Sequence, residues 1–580
     1  MKLTKNSDRK NNQANAEPFN LTIIMLLLVT GILIALNIIS EYLHTKIDLT
    51  EEKRYTLTPE TVLMLQGLKD NVYVEVMLEG KFPAGFKRLQ DAVKDMLDQF
   101  RNETPYIQYN FNDPLNVSSV EEKNERIKTL AGQGIKPVNL KVFENDQQSE
   151  KIIYPIAVVK YGSHTIPVNL LENNIAGYSD EELLNQSINL LEFKLADAVN
   201  KIFRTIKPTI LLTAGHGEAA PIQTQDLINS LAPYYEVKRI HLDSIYKIPD
   251  EAGLVIMPNP NVPYGEKAKF VLDQFIMRGG RVMFLVNKVK IDLDSMRRQS
   301  ADFVPIENNV NLDDMFFKYG FRIQPNLILD LECSTIPLSV GKLGTGAQLE
   351  NFPWYYAPLF ASSSDNPIVK NIDRVNMYFP NTIDTIKTKV PIHKSILLAS
   401  SKYSRVQFIP ARINFEILRY PPEPDKFNKP FQPAAVLLEG SFPSLYENRV
   451  SEDMKQTLEQ IKMPFTSISK PTKILAVSYG KLVNNIYNPK GDDYMPIGYN
   501  SFDKQLYGNK DFVMNAIEYM FDEKGILKAR AKEVKLRLLD KVKIKEHKTL
   551  IQFVNLGIPL ILLGLFSFGF IYFRKWKYSR

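Results

Sequence analysis

The sequence predicts a membrane-anchored α/β protein: a doubly wound parallel-sheet domain and a smaller N-terminal α/β domain, with one transmembrane helix at each end. Three observations predict it. Uncharged apolar stretches run from about Phe19 to Ile39 and from about Leu550 to Phe573. Short apolar runs alternate with amphipathic helical patterns from Thr209 to Val286, and strands buried on both faces require helices on both sides of a parallel sheet. The chain has 580 residues, 44% of them apolar, enough for several domains with cores of their own.

The first apolar stretch, centred on Leu26, is long enough at about 1.5 Å rise per residue to cross a hydrocarbon core of roughly 30 Å. A cleaved signal peptide is the alternative, since Lys2, Lys5, Arg9 and Lys10 precede it. The run is longer than such a peptide needs, and no small-x-small cleavage site follows. The second stretch contains Pro559, which predicts a kink. It ends in Arg574, Lys575, Trp576, Lys577, Tyr578 and Arg580, a basic and aromatic anchor. Two basic tails predict that both termini stay in the cytoplasm and the body lies outside. The basic stretch Lys528 to Lys548 opposes this, but long loops translocate largely regardless of charge.

Between the spans, Thr58-Pro59 reads as an N-cap and first helical residue, with the helix ending near Gly67. Val72 to Leu78 alternates as a strand, Gly85 to Phe100 is helical, and Tyr106 to Phe111 is a strand. Val120 to Ala131 is a charged helix; Val138 to Val142, Tyr154 to Tyr161 and Thr165 to Leu170 are strands. Asp180 to Phe203 reads as one long helix. After Lys207-Pro208 come a strand at Thr209–Thr213, a helix at Thr224–Ala232, strands at Glu236–Leu242 and Gly253–Pro258, a helix at Gly265–Arg278 and a strand at Arg281–Val286. Gly279-Gly280 ends the preceding helix. A helix at Leu312–Tyr319 and strands at Leu327–Leu331, Ile396–Ala399, Ala434–Leu438 and Lys473–Val477 follow, then a helix at Phe512–Phe521. The organisation expected is therefore a basic tail (1–18), a span (19–40), an N-terminal α/β domain (41–204), a main α/β domain (205–525), a basic juxtamembrane helix (526–548), a second span (549–573) and a basic tail (574–580).

The net charge of +7 is small for this length and does not suggest nucleic-acid binding. One cysteine, Cys333, excludes a disulfide within the chain and any cysteine-based metal site. It reads as a buried structural residue, since no base is placed beside it. The histidines show no metal spacing, and neither a Gly-x-Ser-x-Gly elbow nor a Walker A pattern is present. The most chemical-looking segment is Gly215-His216-Gly217-Glu218, at the carboxyl end of the strand that opens the parallel sheet, where such sheets bind ligands. Its amides suit an anion, and His216 with Glu218 suits acid–base work. A tight strand-to-helix turn explains the same residues without chemistry, and is the favoured reading. No catalytic residue, metal or cofactor is expected. Phe352-Pro353-Trp354-Tyr355-Tyr356 reads as an aromatic cluster in a loop.

Several segments resemble the gliding-motility GldG family of the Bacteroidetes: Ile47 to Thr58, Leu211 to Glu218, Phe352 to Tyr355, Leu438 to Arg449, and Tyr507 to Lys543 with its Gly508-Asn509-Lys510-Asp511-Phe512. Their order covers nearly the whole chain. The resemblance implies an accessory, nominally substrate-binding subunit of a bacterial inner-membrane ABC transporter linked to gliding and its secretion machinery. It implies an ABC permease, a cytoplasmic ATPase, the membrane, and envelope or motility proteins as partners, and no enzyme activity. It also implies a periplasmic body related to glutamine-amidotransferase-like, flavodoxin-like and intraflagellar-transport folds. The nucleophilic cysteine of an amidotransferase is missing from the early turns of the sheet. Ser478-Tyr479-Gly480-Lys481 departs from the acidic Asp-Gly-Asp turn of many relatives, which puts any binding role of that turn in doubt. Two other classes remain open: a membrane-anchored hydrolase or ligand sensor using Gly215 to Glu218, and a structural link between the inner membrane and a motility apparatus.

Overall fold

Two sheets and one long C-terminal helix organise the chain. The computed structural model describes residues 24–35, 56–531 and 548–579, except for 81, 118, 133–134, 136, 145–146, 173–178, 205, 299–302, 344–345, 419, 490 and 492. Of the expected first span, the described part is the apolar helix Ile24–Ala35, shorter than the roughly 20 residues a span requires. Leu26 is exposed on it. Phe19 and Ile39 lie outside the described residues.

The N-terminal body runs α1 (Pro59–Gln66), β1 (Val72–Val76), α2 (Ala84–Glu103), β2 (Ile107–Phe111), α3 (Val120–Gly132), the hairpin β3 (Val138–Glu144) and β4 (Gln147–Ile153), β5 (Ile156–Tyr161), β6 (His164–Asn169), α4 (Asp180–Asn189) and α5 (Leu191–Ile202). Its four-stranded sheet has the order β2-β1-β5-β6. Strands β1 and β2 are parallel, the other pairs antiparallel. On α2, Phe86, Leu89, Val93, Leu97 and Phe100 recur at helical spacing and are buried against that sheet. Burying each such side chain contributes about 1.5–3 kcal/mol.

Two sequence expectations are corrected here. Thr58 precedes a helix, but its side chain does not cap it. Instead its N–H and hydroxyl both donate to Glu192 Oε1, at 2.6 and 2.8 Å. The long helix expected from Asp180 to Phe203 is two helices that meet at Leu190. The first opens with a capping box between Ser179 and Glu182.

The main body runs β7 (Thr209–Thr213), α6 (Gln225–Leu231), β8 (Glu236–Ile240), β9 (Ala252–Pro258), α7 (Glu266–Met277), β10 (Arg281–Leu285), α8 (Asp313–Tyr319), β11 (Asn326–Asp330), β12 (Cys333–Leu343), β13 (Gly346–Ser362), β14 (Ile392–Ala399), β15 (Ser404–Phe408), β16 (Pro433–Gly440), β17 (Thr472–Val477) and α9 (Asn509–Phe521). The large sheet is ordered β12-β13-β14-β16-β17-β10-β9-β7-β8. From β8 to β17 its neighbours are parallel. From β17 to β12 they are antiparallel, so the sheet is mixed rather than wholly parallel. Alternate residues of β10 feed two different cores: Val282 and Phe284 join α7 and α8, whereas Met283 and Leu285 join α6 and α9.

The expected aromatic loop at Phe352–Tyr356 is part of β13, the longest strand. Trp354, Tyr355 and Tyr356 are buried there beside Phe379 and Phe427. The cluster is core: it shares one buried apolar group with Leu327 and Leu329 of β11. Cys333 opens β12, and burial together with the Asp330 charge pushes its thiol up to about 12. At neutral pH it is a protonated, unreactive thiol.

After α9 the chain returns to the N-terminal body. Residues Ile526–Ala531 form a short 3-10 helix whose Ile526, Leu527 and Ala529 are buried with Leu57 and Leu65. This corrects the start of the expected juxtamembrane helix; residues 532–547 lie outside the described ones. Lys528 pairs with Glu60 of α1 at 2.9 Å, which ties this short helix to the start of α1. Helix α10 (Lys548–Tyr578) has 31 residues, none of them buried, and carries Pro559 in its interior. Leu550 and Phe573 are exposed on it. Its apolar surface is long enough to cross a membrane.

Candidate functional site

The turn Gly215–Glu218 leaves the carboxyl end of β7, flanked by the segments that follow β8 and β9. Gly215 and Gly217 have φ of 109° and 73°, a region L-residues avoid. A Cβ on Gly215 would sit 2.9 Å from His241 Nδ1. These two glycines let the chain reverse beneath β8 and β9 and push His216 inward. The His216 ring is 3% exposed and stacks on Tyr264, with ring centroids 3.9 Å apart. Its carbonyl accepts hydrogen bonds from the N–H groups of Asn261 and Val262, at 2.8 and 2.9 Å.

Glu218 accepts a hydrogen bond on each oxygen. One carboxylate oxygen accepts the His216 N–H at 2.6 Å and the other accepts the Tyr264 hydroxyl at 2.7 Å. Burial, then the Glu218 charge, raise the Tyr264 phenol well above its ordinary range, so it remains a donor. His216 Nε2 lies 3.1 Å from Asp243 Oδ2, whereas Nδ1 has no hydrogen-bond partner and is 3.9 Å from Glu218 Oε1. The Ala214 and Ala219 N–H groups donate to Ile240 and Pro258 carbonyls, each at 2.9 Å. An anion in this turn would meet the Glu218 carboxylate, and the His216 N–H there is already in use. Each Glu218 oxygen thus already accepts one hydrogen bond from within the turn. The groups singled out in the sequence do meet, but they hold the turn together. Tyr264, Asp243 and Asn261 complete the cluster; sequence spacing does not show them, because they arrive from neighbouring strand ends.

The Ser478–Lys481 turn lies on the same edge of the sheet. Ser478 Oγ donates to the Asn381 carbonyl, and the Gly480 N–H donates to Asn287 Oδ1 at 2.6 Å. A Cβ on Gly480 would lie 2.8 Å from Asn259 Cα, so the turn is closed against the end of β9. The Leu438–Arg449 segment is anchored in a similar way. Ser444 Oγ and the Leu445 N–H donate to the buried Asp273 carboxylate at 2.7 and 2.8 Å, and Tyr319 adds a third bond at 2.8 Å. Burial raises Asp273, and these donors act against that rise. Among the described residues no group of three or more His, Cys, Asp or Glu is placed to hold a metal ion.

The chain thus combines a mixed-sheet body with a C-terminal helix of membrane-spanning length. Residues 207–516, more than half of the chain, match the family described as an ABC-type uncharacterized transport system, and the chain belongs to that family. Its role is accordingly that of an auxiliary protein of an ABC-type transport system. Residues 51–160 match a domain of unknown function. No curated protein matches the chain. Among solved structures, one titled mmIFT52 N-terminal domain is similar at 11% identity over 54% of this chain and 97% of that chain, with a TM-score of 0.29. That degree of superposition does not define a shared fold.

Proposed function

We propose that the chain is a non-catalytic accessory subunit of an inner-membrane ABC transporter, held to a permease and its cytoplasmic ATPase, and serving gliding motility and its secretion machinery. The observation that carries the reading is the family match over residues 207–516. The gliding assignment rests on the resemblance of the Leu211–Glu218, Leu438–Arg449 and Tyr507–Lys543 segments to the GldG family. In this reading two spans fasten the doubly wound body to the periplasmic face. The apolar α10 favours attachment to a membrane. The hydrogen bonds that Glu218 accepts within its own turn fit a non-enzymatic role. Affinity purification of the full-length chain in mild detergent tests it: permease and ATPase should co-purify in fixed ratio. A chain recovered without either would end the proposal.

A further inference from the structure

The start of α9 is used unevenly. Asn509 is bound twice by the Asn376 backbone: Oδ1 accepts its N–H at 2.9 Å and Nδ2 donates to its carbonyl at 2.7 Å. Lys510 pairs with Asp226 at 2.8 Å. The next residue, Asp511, points elsewhere. Among the described residues its carboxylate accepts no hydrogen bond and has no cation within 4.0 Å. It lines a cleft of about 290 Å³ between the N-terminal body and α9. Arg530, from the segment that returns to the N-terminal body, lines the same cleft. It is 8% exposed, its guanidinium lies 5.7 Å from the centre of the Phe193 ring, and its Nε has no hydrogen-bond partner. No carboxylate among the described residues comes within 4.0 Å of it.

The other charges of the cleft are paired. Lys194 bonds Glu172 at 2.6 Å and the Asn169 carbonyl at 2.8 Å. Lys201 bonds Asp197 at 2.6 Å and Glu518 at 2.5 Å. What remains is one cation and one anion on the same cleft that do not reach each other. A purely anionic ligand would meet four carboxylates, and a purely cationic one would meet three basic groups. A ligand with one charge of each sign satisfies both. Guanidinium geometry matches a carboxylate in a bidentate fashion, and an ammonium is the natural donor to a lone aspartate. The volume sits at the small end of ligand sites, which run from about 300 to 1,000 Å³.

We propose that this cleft binds a small zwitterion of the α-amino-acid type, its carboxylate on Arg530 and its ammonium on Asp511. The proposal does not depend on the transporter assignment. Isothermal titration of the full-length chain in detergent with glycine, L-alanine and L-glutamate tests it, with succinate and putrescine as the two single-sign probes. At least one amino acid should bind saturably, and the single-sign probes should not compete with it. Asp511→Asn and Arg530→Gln should each weaken binding about tenfold or more, the loss of one charge-assisted contact. Unchanged unfolding midpoints would show that both variants are folded; where Arg530→Gln is not, Arg530→Lys keeps the charge and should retain part of the affinity. The proposal is overturned if none of the three amino acids binds, if succinate or putrescine binds as tightly, or if folded variants bind like the parent chain.

Discussion

The Gly215–Glu218 turn and the cleft between the two bodies contain the same kinds of side chain, arranged to opposite ends. In the turn, both Glu218 oxygens are satisfied from within, by the His216 N–H and the Tyr264 hydroxyl. In the cleft, Lys201 is satisfied by Asp197 and Glu518, but Asp511 and Arg530 are left apart. A buried polar group with all its partners stabilises the fold; one without them has a cost that something else must offset. The segment that looks most like chemistry in the sequence is hydrogen-bonded within itself, and the unmatched charges lie in the cleft.

The largest effect that would sharpen this contrast is expected at Lys201. Although burial opposes it, the Asp197 and Glu518 carboxylates hold this ammonium above its ordinary range. Lys201→Met should cost about 3–5 kcal/mol, because it leaves two part-buried acidic groups without their buried cation. The fall in the denaturant midpoint measures it. Glu218→Ala should cost about 2–4 kcal/mol by stranding the Tyr264 hydroxyl and the His216 N–H. A loss under about 0.5 kcal/mol there would break the contrast, since the turn would then not need its carboxylate. Gly215→Ala should cost about 1–2 kcal/mol, from its positive φ and the approach to His241.

The smallest effect is expected at Asp511, where Asp511→Asn should change stability by less than about 0.5 kcal/mol at neutral pH, or raise it. Burial raises the Asp511 pKa, and the Arg530 charge only partly offsets this. The folded chain therefore holds that proton more tightly than the unfolded one. Below the ordinary aspartate range the carboxyl carries no penalty; as pH rises through the raised value, the penalty appears and stays. The parent chain should lose stability relative to Asp511→Asn across that window, as pH-dependent melting would show. A parent chain that gains stability there would mean Asp511 has a cationic partner.

Much of the fold was legible in the sequence, because its signals are local. Strand β7 falls at the expected Thr209–Thr213, and β9, α7 and β10 differ from expectation only at their ends. Apolar runs bounded by Lys207-Pro208 and Gly279-Gly280 suffice for that. The hairpin of β12 and β13 was not legible: Pro337, Gly341 and Pro353 interrupt it, and its strength comes from pairing across the chain. The break at Leu190 is hidden because Leu184, Leu191 and Leu195 keep helical spacing across it. The Gly215–Glu218 residues were visible as a turn. Their partners Tyr264 and Asp243 were not, and neither was the placing of Asp511 and Arg530 on one cleft, since each depends on which elements become neighbours.

The most direct measurement pairs the two regions in one experiment: unfolding midpoint and glycine or L-glutamate titration on Glu218→Ala and Asp511→Asn, both in the full-length chain. A lowered midpoint with ligand heat retained for Glu218→Ala, and an unchanged midpoint with the heat lost for Asp511→Asn, is the result expected. The reverse pattern, with Glu218→Ala as stable as the parent but unable to bind and Asp511→Asn unfolded, would contradict it.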